Sequence, residues 1–191
     1  ANMRVDYQAC AHRVAGIALC ASASMMHNLP CLAAPIVKGY VDVSNVQLLD
    51  NHGGPSDAAL YVTVRPRLPD NVPQAILSGT RGKPPPIAAA RFTAPSTWPF
   101  EFTLDDVEHL TQEGASKADG STGESHWWRG EDFIVSARFD SDGVASTRSP
   151  GDLVGQSVAL MSEAGPDGVP RTAIKLVGRG AAGKFLTSSS K

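Results

Sequence analysis

The chain has no cysteine after its first 31 residues. Its three cysteines are Cys10, Cys20 and Cys31, so no disulfide can stabilise the long remainder of the chain. Their spacing, even together with His12 and His27, matches neither a zinc site built from two close ligand pairs nor a haem-attachment sequence. We therefore predict that the protein holds no metal and no cofactor.

The sequence also lacks a strong excess of charge of either sign. Its 17 Lys and Arg residues stand against 19 Asp and Glu residues, which gives a formal net charge of -2 at pH 7. Proteins that bind nucleic acid normally carry a basic field over the binding surface. We therefore predict no nucleic-acid partner.

Sequence patterns that carry catalysis are scarce. No Gly-x-Ser-x-Gly nucleophile elbow occurs. The stretch "GRGAAGKF" matches most of a phosphate-binding loop, but Phe185 stands where that loop needs Ser or Thr, and only six residues follow Phe185 where the motif must open a helix. We therefore predict no nucleotide site.

Acid and base candidates are isolated from any nucleophile. Asp105 and Asp106 are adjacent, so on a strand they would face opposite ways and could not act as a pair. His109 and His126 have carboxylates nearby in sequence, but a hydrolase would need a serine brought to one of them. We predict a protein that is not an enzyme, and a hydrolase that uses His109 or His126 is the alternative.

Residues 1–35 have the layout of a translocation signal. Arg4 and Arg13 precede an uncharged stretch from Val14 to Met26, and small residues follow in "ASA" and "LAAP". This apolar stretch is shorter than the roughly 20 residues of a normal membrane span. A two-stage route into the thylakoid lumen would fit, with the segment cleaved or kept as a membrane anchor. A buried helix of the domain and a bacterial periplasmic address are the alternatives.

The chain from Ile36 onwards alternates apolar and polar residues with the period of a β-strand. Clusters of Pro and Gly such as "NHGGPSD" and "AGPDGVP" separate the alternating stretches. The pattern predicts seven strands, in the stretches "IVKGYVDV", "ALYVTVR", "PIAAARF", "PFEFTL", "DFIVSARF", "SVALM" and "TAIKLV".

Many short strands without intervening long helices indicate an all-β fold, and we predict an antiparallel β-sandwich. The predicted boundaries are an apolar segment at 1–35, the sandwich at 36–178 and a basic Gly/Ser tail at 179–191. Only "LDDVEHLTQEG" is suited to a helical turn, with Asp105 or Asp106 as N-cap. The stretch "PGDLVG", at 150–155, is predicted to be a turn whose Leu153 lies under the sheet edge.

Two groups of side chains are candidates for contact with a protein partner. An exposed aromatic next to an arginine has the composition of an interface hot spot, and a basic stretch without acidic residues suits an acidic protein surface or lipid head groups. The alternatives are that one tryptophan packs under the sheet while the other covers its rim, and that the tail is simply solvated. The candidates are Trp127, Trp128, Arg129, Arg171, Lys175, Arg179 and Lys184.

Five weak motifs occur in an order that resembles a known family. They are "DAALYVTVRP", "KPPPIAAARF", "WPFEFTLDD", "FIVSARFDSDGVASTR" and "PGDLVGQS". Together they are similar to the C-terminal periplasmic domain of CycH/CcmI-type cytochrome c biogenesis proteins, over roughly residues 36–160. We refer to the matching positions as the framework residues: Trp98, Pro99, Phe102, Leu104, Asp105, Asp106, Ala137, Arg138, Gly143, Ala145, Gly151, Asp152, Leu153 and Gly155.

The resemblance implies a domain that holds another polypeptide on the far side of a bioenergetic membrane. The family's helical repeats and its membrane-spanning start have no counterpart here. Because the predicted address is the thylakoid lumen, our leading expectation is an accessory subunit of a photosynthetic membrane complex, on the lumenal side, that binds other subunits of an electron-transfer complex. A cytochrome c biogenesis factor that binds apocytochrome c is the alternative, and the membrane surface is a further expected contact.

Overall fold

A computed structural model of the protein describes residues 33–44, 57–68, 70, 72–77, 84–116, 126–149 and 151–178. Nearly all of the predicted targeting segment, and the whole predicted tail, lie outside the described residues. None of the described helices is both long enough and apolar enough to cross a membrane.

The described residues form seven strands and almost no helix, which confirms the prediction of an all-β fold. Two four-residue helices, α1 (Gln74–Leu77) and α2 (Gln112–Ala115), and one short 3-10 turn (Met161–Glu163) lie between the strands. The strands are β1 (Pro35–Val43), β2 (Ala59–Pro66), β3 (Ala88–Thr93), β4 (Phe100–Asp105), β5 (Phe133–Asp140), β6 (Leu153–Ala159) and β7 (Arg171–Gly178).

The strands belong to one mixed sheet in the order β3-β2-β5-β6-β7-β1-β4. The first and last strands, β1 and β7, pair in parallel, and the other neighbouring strands pair antiparallel. The sheet curls until its edge strands approach, with the rings of Phe92 and Phe100 5.2 Å apart. The predicted antiparallel sandwich is therefore corrected to a mixed, nearly closed sheet. Alternation identifies the buried face of each strand but does not specify its neighbours.

The concave side of the sheet holds the apolar core. On β2 the side chains of Leu60, Val62 and Val64 are fully buried, and each residue between them faces outwards. Phe133 and Val135 of β5 meet them from the neighbouring strand. Burying a side chain of this size stabilises the fold by about 1.5–3 kcal/mol, so the alternation in the sequence corresponds directly to the energetics of the core.

Strand β6 begins earlier than the sequence predicts. Leu153 and Val154 pair with Gly178 and Val177 of β7, so the residues predicted as a turn already belong to the sheet. Leu153 is buried as expected, with 1% of its surface exposed. The turn is confined to the residues before it, where the amide of Asp152 donates to the carbonyl of Ser149 at 3.1 Å.

Candidate protein-binding surface

The convex side of β3, β2, β5 and β6 carries polar side chains in rows across the strands. In one row Tyr61 lies between Arg91 on β3 and Arg138 on β5. In the next, Thr63 lies opposite Ser136, which in turn lies opposite Gln156 of β6. We call this surface the arginine face. It comprises Tyr61, Thr63, Arg65, Arg91, Ser136, Arg138 and Gln156, with Arg148 from the loop after β5.

Two guanidinium groups lie over the ring of Tyr61. The central carbons of Arg138 and Arg91 are 5.4 Å and 6.0 Å from the ring centroid, within the range of cation–π attraction. The Tyr61 hydroxyl donates to the carbonyl of Gly143 at 2.6 Å and lies 3.3 Å from Nε of Arg91. The ring thus links three segments of the chain and has a fixed position.

Arg138 holds the loop at 141–149 over the arginine face. Its two terminal nitrogens donate to the carbonyls of Thr147 and Ala145 at 3.0 Å and 2.9 Å. Within the loop, the hydroxyl of Thr147 donates to the carboxylate of Asp142 at 2.7 Å. The loop therefore forms a wall beside the sheet with its backbone fixed by side chains.

Two buried carboxylates lie beneath the same arginine. Asp140 and Asp152 are each only 1% exposed, and Arg138 lies 2.8 Å from the first and 4.0 Å from the second. Burial raises the pKa of Asp140 above its ordinary value, and a hydrogen bond with Asp142 and the charge of Asp152 raise it further, against the opposing charge of Arg138. The pKa of Asp142 is lowered, first by its hydrogen bond with Asp140 and next by the Thr147 hydroxyl.

Gly143 lets the loop approach the start of β2. Its φ of +66° lies in the left-handed region, and a Cβ at this position would lie 1.8 Å from the carbonyl oxygen of Asp57. No side chain fits such a contact, so the loop can hold this position only with glycine at residue 143.

The wall and the sheet enclose a groove of about 590 Å³. The side chains of Thr63, Ser136 and Gln156 line its floor with hydroxyl and amide groups, and Arg65 and Arg148 line it with positive charge. The half-buried Arg65 donates to the carbonyl of Pro84, and burial lowers its pKa. The groove can therefore bind hydrogen-bonding and anionic groups.

Most of the arginines on this face lack an acidic partner. Arg138 is paired with Asp140 and Asp152, whereas Arg65, Arg91 and Arg148 form no ion pair with any described residue. Arg148 is exposed, and its side chain makes no hydrogen bond with any residue that the structure describes. Within the part of the chain that the structure describes, no ion pair therefore neutralises the charge of these three arginines.

The tryptophan pair predicted as a contact is only partly at the surface. Trp128 is 4% exposed, donates its indole N–H to the carbonyl of Gly114 at 2.8 Å, and stacks on His126. It belongs to the core, which fits the alternative that one tryptophan packs under the sheet. Trp127 is half-buried and donates to the carbonyl of Glu113 at 3.2 Å, as expected of a ring that covers the rim.

Of the remaining predicted contact residues, the structure describes Arg129, Arg171 and Lys175, and none of the three is among the residues that define the arginine face. Arg129 is exposed and lies 3.5 Å from the carboxylate of Asp106. Arg171 and Lys175 are exposed on β7, and Arg171 pairs with Asp167 at 3.3 Å. The predicted residues Arg179 and Lys184 lie outside the described part of the chain. Arg171 and Lys175 share the outward face of β7, whereas Arg129 lies in the turn before β5.

Three potential metal ligands meet at the end of β4. Ligand atoms of Asp105, Glu108 and His109 lie within 4.8 Å of one another. The carboxylate of Asp105 accepts the amide N–H groups of Val107 and Glu108, the latter bond being the main cause of its lowered pKa. The predicted capping role of Asp105 thus applies to this turn, because helix α2 has Thr111 as its N-cap. The cluster is accounted for by the turn itself.

The hydrolase alternative requires a nucleophile next to His109, and the described residues do not place one there. The Nδ1 atom of this imidazole lies 3.2 Å from both the amide nitrogen and a carboxylate oxygen of Asp105. Among the residues that the structure describes, no serine hydroxyl is hydrogen-bonded to His109. His126 stacks on Trp128 with ring centroids 4.9 Å apart.

Sequence reasoning did not identify the arginine face. Arg138 appears only among the framework residues of the resemblance, and the sequence pattern assigns no role to Tyr61, Arg65 or Arg148. The available signal is that the outward positions of "LYVTVR" and "SAR" carry hydroxyl and guanidinium groups rather than the acidic and lysine side chains typical of solvated strands. Their meeting in one place depends on the pairing of β2 with β5, which that signal does not contain.

No protein-family model and no curated protein sequence matches the chain. One similar solved structure is an alternative pilotin from the type II secretion system of Vibrio cholerae. It is 16% identical, the match covers 74% of this chain and 94% of the pilotin, and the TM-score is 0.37. A likeness at this level carries no argument about function, so the resemblance to CycH/CcmI-type proteins stays a prediction.

Proposed function

We propose that the protein is a non-enzymatic binding subunit that attaches to other proteins through the convex side of its sheet. The observation that carries this proposal is the arginine face, where three arginines have no acidic partner among the described residues. Arg65 is half-buried, and a cation in such a position is normally paired, so a surface that leaves it unpaired beside the exposed Arg91 and Arg148 is suited to an acidic partner.

The construction of the face favours binding over chemistry. Tyr61 and Arg138 are fixed by hydrogen bonds to the backbone of the loop, and their role is to hold a surface in shape. Preorganised surfaces of this kind bind more tightly because little conformational entropy is lost on association. The partner side chains would meet a rigid sheet, which is the usual scaffold of a binding module.

The proposed compartment rests on the sequence of residues 1–35, which has the layout of a translocation signal. We therefore propose an accessory subunit of a photosynthetic membrane complex, on the lumenal side of the thylakoid. It would have a structural or assembly role among the subunits of an electron-transfer complex.

Gentle purification from the native membranes with an antibody against the folded domain tests this function. Mass spectrometry of the purified material should find electron-transfer subunits in stoichiometric amounts. Recovery of the protein alone, under conditions that keep known membrane complexes intact, would refute the proposal.

A second candidate is a factor that binds apocytochrome c, as the resembled family does. One observation favours it, because four framework residues take part in neighbouring contacts. Arg138 donates to the carbonyl of Ala145 and pairs with Asp152. The carbonyl of Gly143 accepts a hydrogen bond from the Tyr61 hydroxyl. Purified domain should then bind apocytochrome c and leave holocytochrome c unbound. Equal binding of the two forms, or none, counts against this candidate.

A further inference from the structure

We propose that the groove of the arginine face binds an extended acidic segment of another protein, with carboxylates paired to Arg65 at one end and to Arg148 at the other. This inference rests on the proposed function and specifies the chemistry of the partner. The two cations belong to the same groove, and neither has an acidic partner in the described part of the chain.

The state of Arg65 is the first argument for an anionic ligand. Its guanidinium is half-buried, and burial lowers its pKa because the charged form has lost part of its hydration. Its single described hydrogen bond, to the carbonyl of Pro84, leaves several of its five N–H groups for other acceptors. A carboxylate accepts two of them at once in a planar pair, which a point cation cannot offer.

The spacing of the cations is the second argument. Arg148 follows Thr147, whose carbonyl accepts a hydrogen bond from Arg138. Arg138 lies opposite Tyr61, and Arg65 comes four residues after Tyr61 on the same strand. Four residues of strand span about 13 Å. An extended peptide has the same rise, so two acidic side chains four positions apart would point to the same side and reach both ends of the groove.

The floor between the cations suits the middle of such a segment. Thr63, Ser136 and Gln156 lie in one row across three strands and present hydroxyl and amide groups. These groups both donate and accept, so they can bond the peptide backbone without regard to its sequence. Affinity would then come from the floor and charge selectivity from the two ends.

A protein segment fits this surface better than a lipid surface does. The chain has a net charge of -2, so it has no general positive field that would draw it to an anionic membrane. The positive charge is local and lies in a groove beside the wall at 141–149. A single extended strand can contact both the floor and the wall of this groove, whereas a flat bilayer would contact only its rim.

Fluorescence anisotropy with a labelled peptide tests this inference on the full chain. The probe is a short threonine and valine peptide with two glutamates four positions apart. Controls are the same peptide with glutamines, and one in which the two glutamates are adjacent. We expect the spaced acidic peptide to bind at least about tenfold more tightly than either control, the effect of one charged hydrogen bond. Equal binding of all three peptides would overturn the proposal.

Variants then locate the site. Arg148→Gln and Arg65→Gln should each weaken binding of the spaced peptide by about tenfold, because each removes one charged contact. Arg67→Gln is the matched control, since Arg67 is exposed and pairs with Asp132 outside the groove. Unchanged affinity in Arg148→Gln with a native melting temperature would overturn the inference, as would tighter binding to anionic phospholipid vesicles than to the peptide.

The same variants separate this inference from the proposed function. If the wild-type chain retains its partner subunits in native membranes and Arg148→Gln retains them equally well, the function stands and the groove is not the contact. If the wild-type chain retains no partner, the proposed function fails whatever the peptide result. Loss of the partner in Arg148→Gln but not in Arg67→Gln supports both.

Discussion

The guanidinium of Arg138 faces the ring of Tyr61 at 5.4 Å, and both side chains hold the loop that follows β5. Arg138 bonds two loop carbonyls, and Tyr61 bonds a third, at Gly143. The two residues sit opposite each other in the register of β2 and β5. Sheet pairing therefore determines the position of a loop that lies outside the sheet.

Replacing Arg138 should destabilise the domain strongly. In Arg138→Met the buried carboxylates of Asp140 and Asp152 lose their cation, and removing one partner from a buried ion pair costs about 3–5 kcal/mol. Urea unfolding at pH 7 measures the loss. Arg67→Met, at an exposed pair with Asp132, is the control and should cost less than about 1 kcal/mol. Similar losses of unfolding free energy in the two variants would show that the buried carboxylates beneath Arg138 depend on their cation no more than the exposed Asp132 does.

The buried Asp140 should make the domain relatively more stable in acid. Its folded-state pKa is raised, so the folded form binds its proton more readily than the unfolded form does. Its stabilising contribution is complete below the unfolded pKa and is lost as pH rises through the folded value. In urea unfolding between pH 7 and pH 4, the stability of the wild type relative to Asp140→Asn should therefore increase as the pH falls. Parallel curves would contradict this.

Asp167 should give the opposite dependence of stability on pH and serves as a control. A hydrogen bond from Lys38 is the main cause that lowers its pKa to about 2, with Arg171 adding a smaller effect. Its contribution is present above the ordinary carboxyl pKa and is lost as the pH falls towards 2. Relative to Asp167→Asn, the wild type should therefore lose stability in acid. The two variants report opposite trends in the same titration.

Gly143→Ala should both destabilise the domain and impair the groove. The added Cβ meets a carbonyl at 1.8 Å in a backbone conformation with φ of +66°, so the loop must shift. Gly130→Ala is the matched control, because its φ is +84° but its Cβ would meet nothing within 4 Å. The control should lose about 1 kcal/mol from backbone strain, and Gly143→Ala about 2 kcal/mol more from the clash. Equal losses would mean that the loop accommodates the methyl group.

Alternation predicted the strands well because burial on one face is a local property. The pattern of Leu60, Val62 and Val64 is sufficient to place β2 and to orient it. The predicted start of β6 was wrong because a glycine such as Gly155 is typical of a turn. Its actual role is close contact with β7, where a Cβ would lie 2.4 Å from the carbonyl of Lys175. Such contacts involve residues distant in sequence, and no local pattern records them.

The candidate site was harder to predict for the same reason. Arg138 and Asp152 are 14 positions apart in the sequence, and Tyr61 is far from both. Each is unremarkable alone, and only the antiparallel pairing of β2, β5 and β6 brings them together. The parallel pairing of β1 with β7 likewise depends on the two ends of the domain meeting. The tryptophan pair, by contrast, was visible in the sequence, but its burial was not.

Trp127 and Trp128 form a natural pair for separating core packing from partner contact. Each donates its indole N–H to a carbonyl of helix α2, but Trp128 is 4% exposed and Trp127 is half-buried. Trp128→Ala should cost about 3–5 kcal/mol in urea unfolding, and Trp127→Ala about half as much, because less apolar surface is lost from the core.

The folded Trp127→Ala variant then tests the remaining contact hypothesis. If Trp127 also contacts a partner, this variant should be lost from native complexes while its melting remains cooperative. Arg129→Gln, beside it and exposed, should weaken retention less, because a rim charge contributes little to affinity. Full retention of Trp127→Ala would assign this ring to packing alone, and would leave the arginine face as the surface through which the domain binds.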